Sequence, residues 1–136
     1  MGHAGFLKNT GYYIYPAGSG KKVWVSWHFT VDDARIIKHI PVNEVAYHAK
    51  SGNSKSIGIE ICMNSGINQA AAFSRAAKLI AALMFDLKLS IDKVVPHKKW
   101  TGKNCPSLLL DPDKTIGKKW QNFIDMIVKE RNTITE

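Results

Sequence analysis

The chain has 136 residues, 45% of them hydrophobic, so it fits a single globular domain over residues 1–136 and excludes a second one. Lysine and arginine outnumber aspartate and glutamate by 19 to 11, and the formal charge of +8 favours anionic partners. The two cysteines are too few for a disulfide framework, which indicates synthesis in a reducing compartment. The sequence shows no signal peptide and no apolar run near the ~18 residues that a membrane span needs, so membrane insertion is not expected.

The first half of the chain predicts a loop followed by a hairpin. Residues 10–22 hold three glycines and a proline, which is typical of an irregular connection. Residues 23–31 alternate apolar and polar side chains, the pattern of a half-buried strand, and place His28 away from the apolar face. Residues 35–40 then predict the antiparallel partner of that strand.

Residues 56–63 predict a second alternating strand that carries a carboxylate on its less apolar face. Glu60 stands between Gly58 and Cys62, which offer neither bulk nor affinity for water. A solvated surface position is the ordinary interpretation of such a glutamate, and the floor of a polar pocket is the alternative.

The second half predicts two amphipathic helices separated by a short strand. Apolar residues recur every three or four positions over residues 68–89, residues 94–96 suggest a short strand, and Asp111 with Pro112 resembles the start of a closing helix. The buried stripe predicted for that last helix is Ile116, Trp120, Phe123, Ile124, Ile127 and Val128. The order of elements predicts a mixed α/β fold, with a central mixed β-sheet flanked by α-helices.

His97 and Cys105 are the candidate metal ligands, because imidazole and thiolate are both good donors to Zn²⁺. Lys103 places a cation between them in sequence, and Trp100 lies nearby, where it either walls a groove or packs in the core. Since a catalytic zinc site uses about three protein ligands, the pair alone does not define one. The competing interpretation, in which His97 ends a strand and Cys105 is a small apolar residue before a proline, stays open on spacing alone.

Taken together, four segments resemble the zinc-dependent N-acetylmuramoyl-L-alanine amidases of phage endolysins and bacterial autolysins, which are related to peptidoglycan recognition proteins. Their order and spacing agree with the family as well as their residues, over roughly residues 3–128. The segments are residues 25–33, 46–49, 56–62 and 95–106.

The resemblance implies a reaction and roles for individual residues. His97 and Cys105 would bind Zn²⁺, and Glu60 and Lys103 would assist hydrolysis of the amide between N-acetylmuramic acid and the L-alanine of the peptidoglycan stem peptide. His28 matches a position that lines the family's pocket without binding metal. The candidates for substrate contact are therefore His28, His48, which lies in a segment similar to the pocket rim, and Trp100.

One feature of the family is not found in this sequence. The family's first zinc ligand is a histidine on an early strand, and no residue before His28 matches it, so an N-terminally shortened domain is expected. Either the amidase is impaired or dependent on a missing segment, or another histidine takes the vacant role, or the domain binds peptidoglycan without cutting it. A vacated strand position would also allow a homodimer.

Partners and location follow from the same resemblance. Peptidoglycan is the expected partner, and the protein is expected to be made in the cytoplasm without a signal peptide and to act on the cell wall after release. Nucleic acid is the alternative partner that the charge suggests. It is not favoured, because the lysines are scattered over several predicted elements.

Overall fold

The computed structural model describes residues 12–14 and 23–135, with side chains from residue 25 onward. Five short strands and three α-helices occur in this part of the chain, together with three single 3-10 turns at residues 50–52, 91–93 and 107–109. The strands are β1 (Tyr12–Ile14), β2 (Val23–Val25), β3 (Phe29–Val31), β4 (Ile36–Lys38) and β5 (Ile59–Ile61), and the helices are α1 (Gln69–Leu87), α2 (His97–Thr101) and α3 (Lys118–Thr133).

A three-stranded mixed sheet with the order β4-β3-β5 forms the centre, and β1 and β2 pair antiparallel in a separate two-stranded sheet. Strand β3 pairs antiparallel with β4 and parallel with β5, in a register that sets Thr30 opposite Glu60. The β3–β4 turn is fixed by the Asp32 carboxylate, which accepts hydrogen bonds from the backbone N–H groups of Ala34 and Arg35, both at 2.7 Å. The predicted mixed α/β sheet and its hairpin are thus confirmed.

Helix α1 begins and ends with clear capping interactions. The Asn68 side chain accepts a hydrogen bond from the Ala71 N–H, and Lys88 ends the helix in the left-handed conformation (φ 55°). Four alanines of α1 are fully buried, which lets the helix lie close to the sheet and to α3. The core between them consists of Val31, Ala76, Ala77, Ala81, Met84, Leu109, Phe123 and Ile127.

The apolar stripe predicted for the last helix is largely confirmed. Phe123 and Ile127 are buried, and Trp120 and Ile124 pack against the core. Ile116 is an exception, because it precedes the helix and is 44% exposed.

The single strand predicted over residues 23–31 is wrong, because the chain leaves the ladder between β2 and β3. There the backbone N–H of Ser26 donates to Tyr47 O, and that of His28 donates to Gly58 O, each at 3.0 Å. The segment is also buried on both sides instead of one, and His28 is fully inaccessible to solvent. The alternating pattern predicts one exposed face, whereas residues 26–31 are buried on both faces.

The short strand predicted at residues 94–96 is also wrong. The Val94 N–H closes the 3-10 turn by donating to Ile91 O at 3.0 Å, and Pro96 has no N–H to give. The Val94 N–H is occupied by the turn and Pro96 has none to donate, so residues 94–96 form no β-ladder.

Helix α3 does not begin at Asp111 and Pro112 as predicted, but at Lys118, after Gly117. Asp111 still acts at this helix, because its carboxylate accepts from the N–H groups of Lys118 and Lys119, both at 3.0 Å. A Cβ on Gly117 would collide with that carboxylate, so any side chain there would displace the Asp111 cap. Asp111 therefore caps a helix that begins seven residues after it in the chain.

Residues 10–22 are not wholly the predicted loop, since Tyr12–Ile14 forms β1. The segment of residues 3–9, which the family resemblance includes, lies outside the described residues. No helix in the described part of the chain is long and apolar enough to cross a membrane. The described residues also give no support to the homodimer considered from the sequence.

Candidate functional site

The candidate site forms where helix α2 meets the loop that contains residues 48–56. The Nε2 atom of His97, the first residue of α2, lies 2.6 Å from the backbone carbonyl oxygen of His48. Beside this contact the ring of Trp100 covers Gly52 so closely that a Cβ added to the glycine would stand 2.6 Å from the ring. Only glycine allows this approach, so position 52 sets how closely α2 packs on the loop.

The hydrogen bond to His48 determines the chemical state of the His97 ring. Because a carbonyl oxygen only accepts, Nε2 carries the proton and donates it, which leaves the lone pair on Nδ1. That Nδ1 atom is buried and has no hydrogen-bond partner among the described residues. A buried ring nitrogen held in this way has the arrangement of a metal ligand whose other nitrogen is oriented by a backbone carbonyl.

The backbone of Cys105 lies beside the first turn of helix α2. Gly102 ends α2 in the left-handed conformation (φ 76°), and the Lys98 N–H then donates to Cys105 O at 2.9 Å. Burial raises the pKa of the Cys105 thiol, the Glu60 carboxylate raises it further, and Lys103 lowers it. Glu60 and Lys103 therefore shift the pKa of the Cys105 thiol in opposite directions.

Glu60 belongs to β5, on the side of the strand opposite Ile59 and Ile61, which pack against the core. Solvent reaches its side chain, but the protein groups around it remove part of its hydration. This burial raises the pKa of Glu60, and the nearby His97 ring lowers it in part. The sequence leaves a solvated surface position and a polar pocket floor open for Glu60; the side chain is exposed, while its raised pKa shows partial desolvation, so its part in a pocket stays a prediction.

The His28 ring holds two backbone segments beside the site. Its Nδ1 accepts a hydrogen bond from the Gly58 N–H at 2.9 Å, so its Nε2 carries the proton and donates to Glu44 O at 2.8 Å. Both ring nitrogens are therefore used within the protein. Any part that His28 takes in the site comes through the backbone that it holds in place.

His48 lies between the other two histidines. Its ring meets that of His28 edge to face, with the centroids 5.9 Å apart, and it covers Gly58 so closely that a Cβ there would stand 2.8 Å from it. Burial lowers the pKa of His48 to about 4, with smaller lowering contributions from His28 and His97. The ring is therefore neutral at physiological pH.

Asn53 is a contributor that sequence reasoning did not identify. Its Oδ1 accepts hydrogen bonds from the N–H groups of His48 at 2.8 Å and of Ala49 at 2.6 Å. It thereby fixes the backbone whose carbonyl receives the His97 proton. The Gly52-Asn53 pair signals a turn in the sequence, but nothing in the sequence tells which backbone that turn organises.

The structure thus brings His97, Cys105, Glu60 and Lys103 into one neighbourhood, with His48 and Trp100 at the loop that borders it. The imidazole and thiol donors fit Zn²⁺, and the unpartnered Nδ1 of His97 agrees with that fit. Within residues 25–135, no group of three or more histidine, cysteine, aspartate or glutamate side chains is placed to hold a metal ion. The part that each residue takes in binding or catalysis stays a prediction.

A mixed sheet packed against helices, with a strand glutamate whose pKa is influenced by the histidine that begins α2, is the arrangement to compare with known proteins. The chain belongs to the N-acetylmuramoyl-L-alanine amidase family, whose sequence pattern matches residues 6–108.

Curated relatives and solved structures agree with this assignment. The chain is 46% identical over 107 residues to the amidase CwlH of Bacillus subtilis (strain 168), covering 75% of this chain and 40% of CwlH. It is 46% identical over 113 residues to the amidase XlyA of the same organism, covering 80% of this chain and 34% of XlyA. It therefore spans between a third and two fifths of the length of these relatives.

Two solved structures share the fold. The catalytic domain of XlyA superimposes with a TM-score of 0.68 at 47% identity, over 76% of this chain and 65% of that one. The solution structure of the PlyG catalytic domain gives a TM-score of 0.69 at 30% identity, over 79% of this chain and 66% of that one.

Proposed function

We propose that this protein hydrolyses the amide bond between the lactyl group of N-acetylmuramic acid and the L-alanine of the peptidoglycan stem peptide, with Zn²⁺ as cofactor. Membership in the amidase family supports the choice of bond. The single structural observation that carries the metal-dependent form of the proposal is the buried Nδ1 of His97, which has no partner among the described residues while Nε2 is held by a carbonyl.

In this proposal His97 and Cys105 hold the metal. Zn²⁺ bound there would supply Lewis acidity toward the scissile carbonyl and toward water. The protein's part is orientation: the His48 carbonyl fixes which ring nitrogen of His97 is available, and the Lys98 N–H fixes the backbone of Cys105.

In this proposal Glu60 transfers the proton and Lys103 stabilises the developing negative charge. The Glu60 carboxylate accepts a proton from the attacking water and passes it to the leaving amine of L-alanine, which completes the exchange of the C–N bond for a C–O bond. The Lys103 ammonium stabilises the negative charge that develops on the carbonyl oxygen. A donor in this role contributes on the order of 3 kcal/mol to lowering the barrier.

The proposed substrate contacts come from the loop and helix that border these groups. His48 and Trp100 flank the approach to His97, and His28 holds the Gly58 backbone beneath them. The proposed place of action is the cell wall, because the substrate lies there.

The test is to incubate the purified protein, with and without added Zn²⁺, with isolated peptidoglycan and to measure newly freed L-alanine amino groups. We expect zinc-dependent release that is absent in a His97→Ala variant. Cosedimentation with peptidoglycan without any release, at every zinc concentration, would replace the enzyme by the alternative function, a module that binds peptidoglycan.

A further inference from the structure

The site is bordered by two segments that are locked together. Residues 45–59 and residues 94–110 meet through the hydrogen bond from His97 to the His48 carbonyl and through the Trp100 ring on Gly52. Charges on these two segments therefore lie on parts of the chain that contact each other.

Both segments carry positive charge only. They contain five lysines and no aspartate, glutamate or arginine. We call these five residues the lysine rim: Lys50, Lys55, Lys98, Lys99 and Lys103.

The lysine rim is available to an outside partner. Four of its residues are exposed, and the Lys98 ammonium donates to Asn104 Oδ1 at 2.8 Å. None of the five forms an ion pair with a carboxylate among the described residues, where the ion pairs are Arg35–Asp32 and Lys93–Asp92. Asp92 is an opposing charge near one end of the rim, and its pKa is lowered first by the Ser90 hydroxyl and more weakly by Lys93 and Lys99.

We propose that the lysine rim binds a polyol-phosphate polymer, the phosphodiester polyanion that bacterial walls carry on their peptidoglycan. Several exposed ammonium groups that form no ion pair raise the local concentration of a polyanion and lose that attraction as salt increases, although the Glu60 carboxylate lies in the same neighbourhood as Lys103. The choice of polymer rests on the proposed function, since a protein that acts on peptidoglycan meets whatever anion is attached to it.

The residue type argues against base-specific reading of nucleic acid. An arginine fork reads the planar edges of bases in pairs of hydrogen bonds, and the rim contains no arginine. Lysine is a compact charge on a flexible stem, which suits a flexible chain of isolated phosphates. Double-stranded DNA is therefore the competing polyanion for the test.

The experiment compares two double variants that lose the same charge. Lys50→Gln with Lys55→Gln removes two charges from the rim, outside the groups proposed to hold metal or move protons. Lys78→Gln with Lys129→Gln removes two exposed charges from α1 and α3 and serves as the matched control. Binding to purified poly(glycerol phosphate) is measured for each protein at several salt concentrations.

We expect the wild-type protein to bind the polymer with an affinity that falls steeply as salt rises. The rim variant should bind about tenfold more weakly at low salt, and the slope of log affinity against log salt should shrink by about one to two units, as expected for one or two lost phosphate contacts. The control variant should match the wild type. Equal losses in both variants, or no loss in either, would overturn the proposal.

Two further arms separate this proposal from the amidase proposal. In the first arm, peptidoglycan stripped of its phosphate polymer should bind the wild-type protein more weakly than untreated wall. In the second arm, the wild type and the rim variant should release L-alanine amino groups from stripped wall at the same rate. Binding of the soluble polymer involves no cleavage, so an inactive protein can still pass this test. Double-stranded DNA of matched charge that binds as tightly through the same two lysines would overturn the choice of polymer.

Discussion

The Nε2 atom of His97 donates its proton to the backbone carbonyl of His48 across 2.6 Å, and this bond joins two segments that lie 49 positions apart in the chain. It decides which ring nitrogen of His97 keeps a lone pair. Because a backbone carbonyl cannot be removed by substitution, its influence has to be tested through the residue that holds it, Asn53.

Asn53→Ala should weaken zinc binding by about tenfold, near the lower end of the effects seen for groups that orient metal ligands. The substitution leaves the N–H groups of His48 and Ala49 without their acceptor, so the carbonyl that orients His97 loses its fixed position. Zinc affinity is measured by competition with a chromophoric chelator.

Asn53→Asp is the matched control for this effect, because a carboxylate oxygen at the same place still accepts from both amides. Loss of thermal stability alone would mark Asn53 as structural. If zinc affinity is the same in the alanine variant as in the wild type, Asn53 does not position His97.

Glu60→Gln should lower the rate of amide hydrolysis by about 10²–10⁴-fold, in the range typical of a lost general acid–base group, with zinc binding preserved. Glutamine has nearly the same shape but takes up no proton. Glu44→Gln is the control, since Glu44 is an exposed glutamate that serves His28 only through its backbone carbonyl. A Glu60→Gln variant with undiminished hydrolysis would remove Glu60 from the mechanism.

His48 should make the metal-free protein less stable as the pH falls from 6.5 toward 4. Burial lowers the pKa of its folded-state ring from 6.5 to about 4, so in this window the unfolded chain binds the proton more readily than the folded one. The stabilisation is fully present above pH 6.5 and is lost as the pH approaches 4. Because the ring is partly exposed and solvent screens it, we expect a loss of at most about 2 kcal/mol.

Urea unfolding in the presence of a chelator, at several pH values, measures this loss. A His48→Gln variant should show a flatter pH dependence than the wild type over the same window. Parallel curves for the two proteins would assign the acid sensitivity to other groups, such as His39, whose pKa is also lowered by burial.

Ile127→Ala should reduce the free energy of unfolding by about 2–5 kcal/mol, since Ile127 is completely buried between α3 and the rest of the core. Met126→Ala, one position earlier and 36% exposed, should cost far less. Thermal or urea unfolding of the two variants tests the assignment of the buried face of α3. Similar losses at both positions would contradict it.

The sequence predicted the elements that follow from local periodicity. Helix α1 was expected over residues 68–89 and occupies Gln69–Leu87, because a stripe of apolar residues and the Asn68 cap act over a few neighbouring positions. The hairpin of β3 and β4 was predicted for the same reason: Asp32 organises its turn within three residues.

The elements that depend on distant partners were not predictable in this way. The burial of His28 on all sides depends on the backbone of Gly58 and Glu44, which lie 30 and 16 positions away. The true start of α3 depends on a carboxylate seven residues upstream. For the site, residue chemistry and the family resemblance predict His97, Cys105, Glu60 and Lys103, whose roles stay predictions. A backbone carbonyl such as that of His48 carries no signal in a sequence.

The segment from Cys105 to Asp111 is tethered at both ends. At one end the Cys105 carbonyl accepts from the Lys98 N–H, and at the other the Asp111 carboxylate holds the first two amides of α3. Anyone who grafts the cysteine loop onto another scaffold would therefore need to transplant the closing helix with it. A cut between Asp111 and Lys118 should, for the same reason, loosen the thiol as well as the helix.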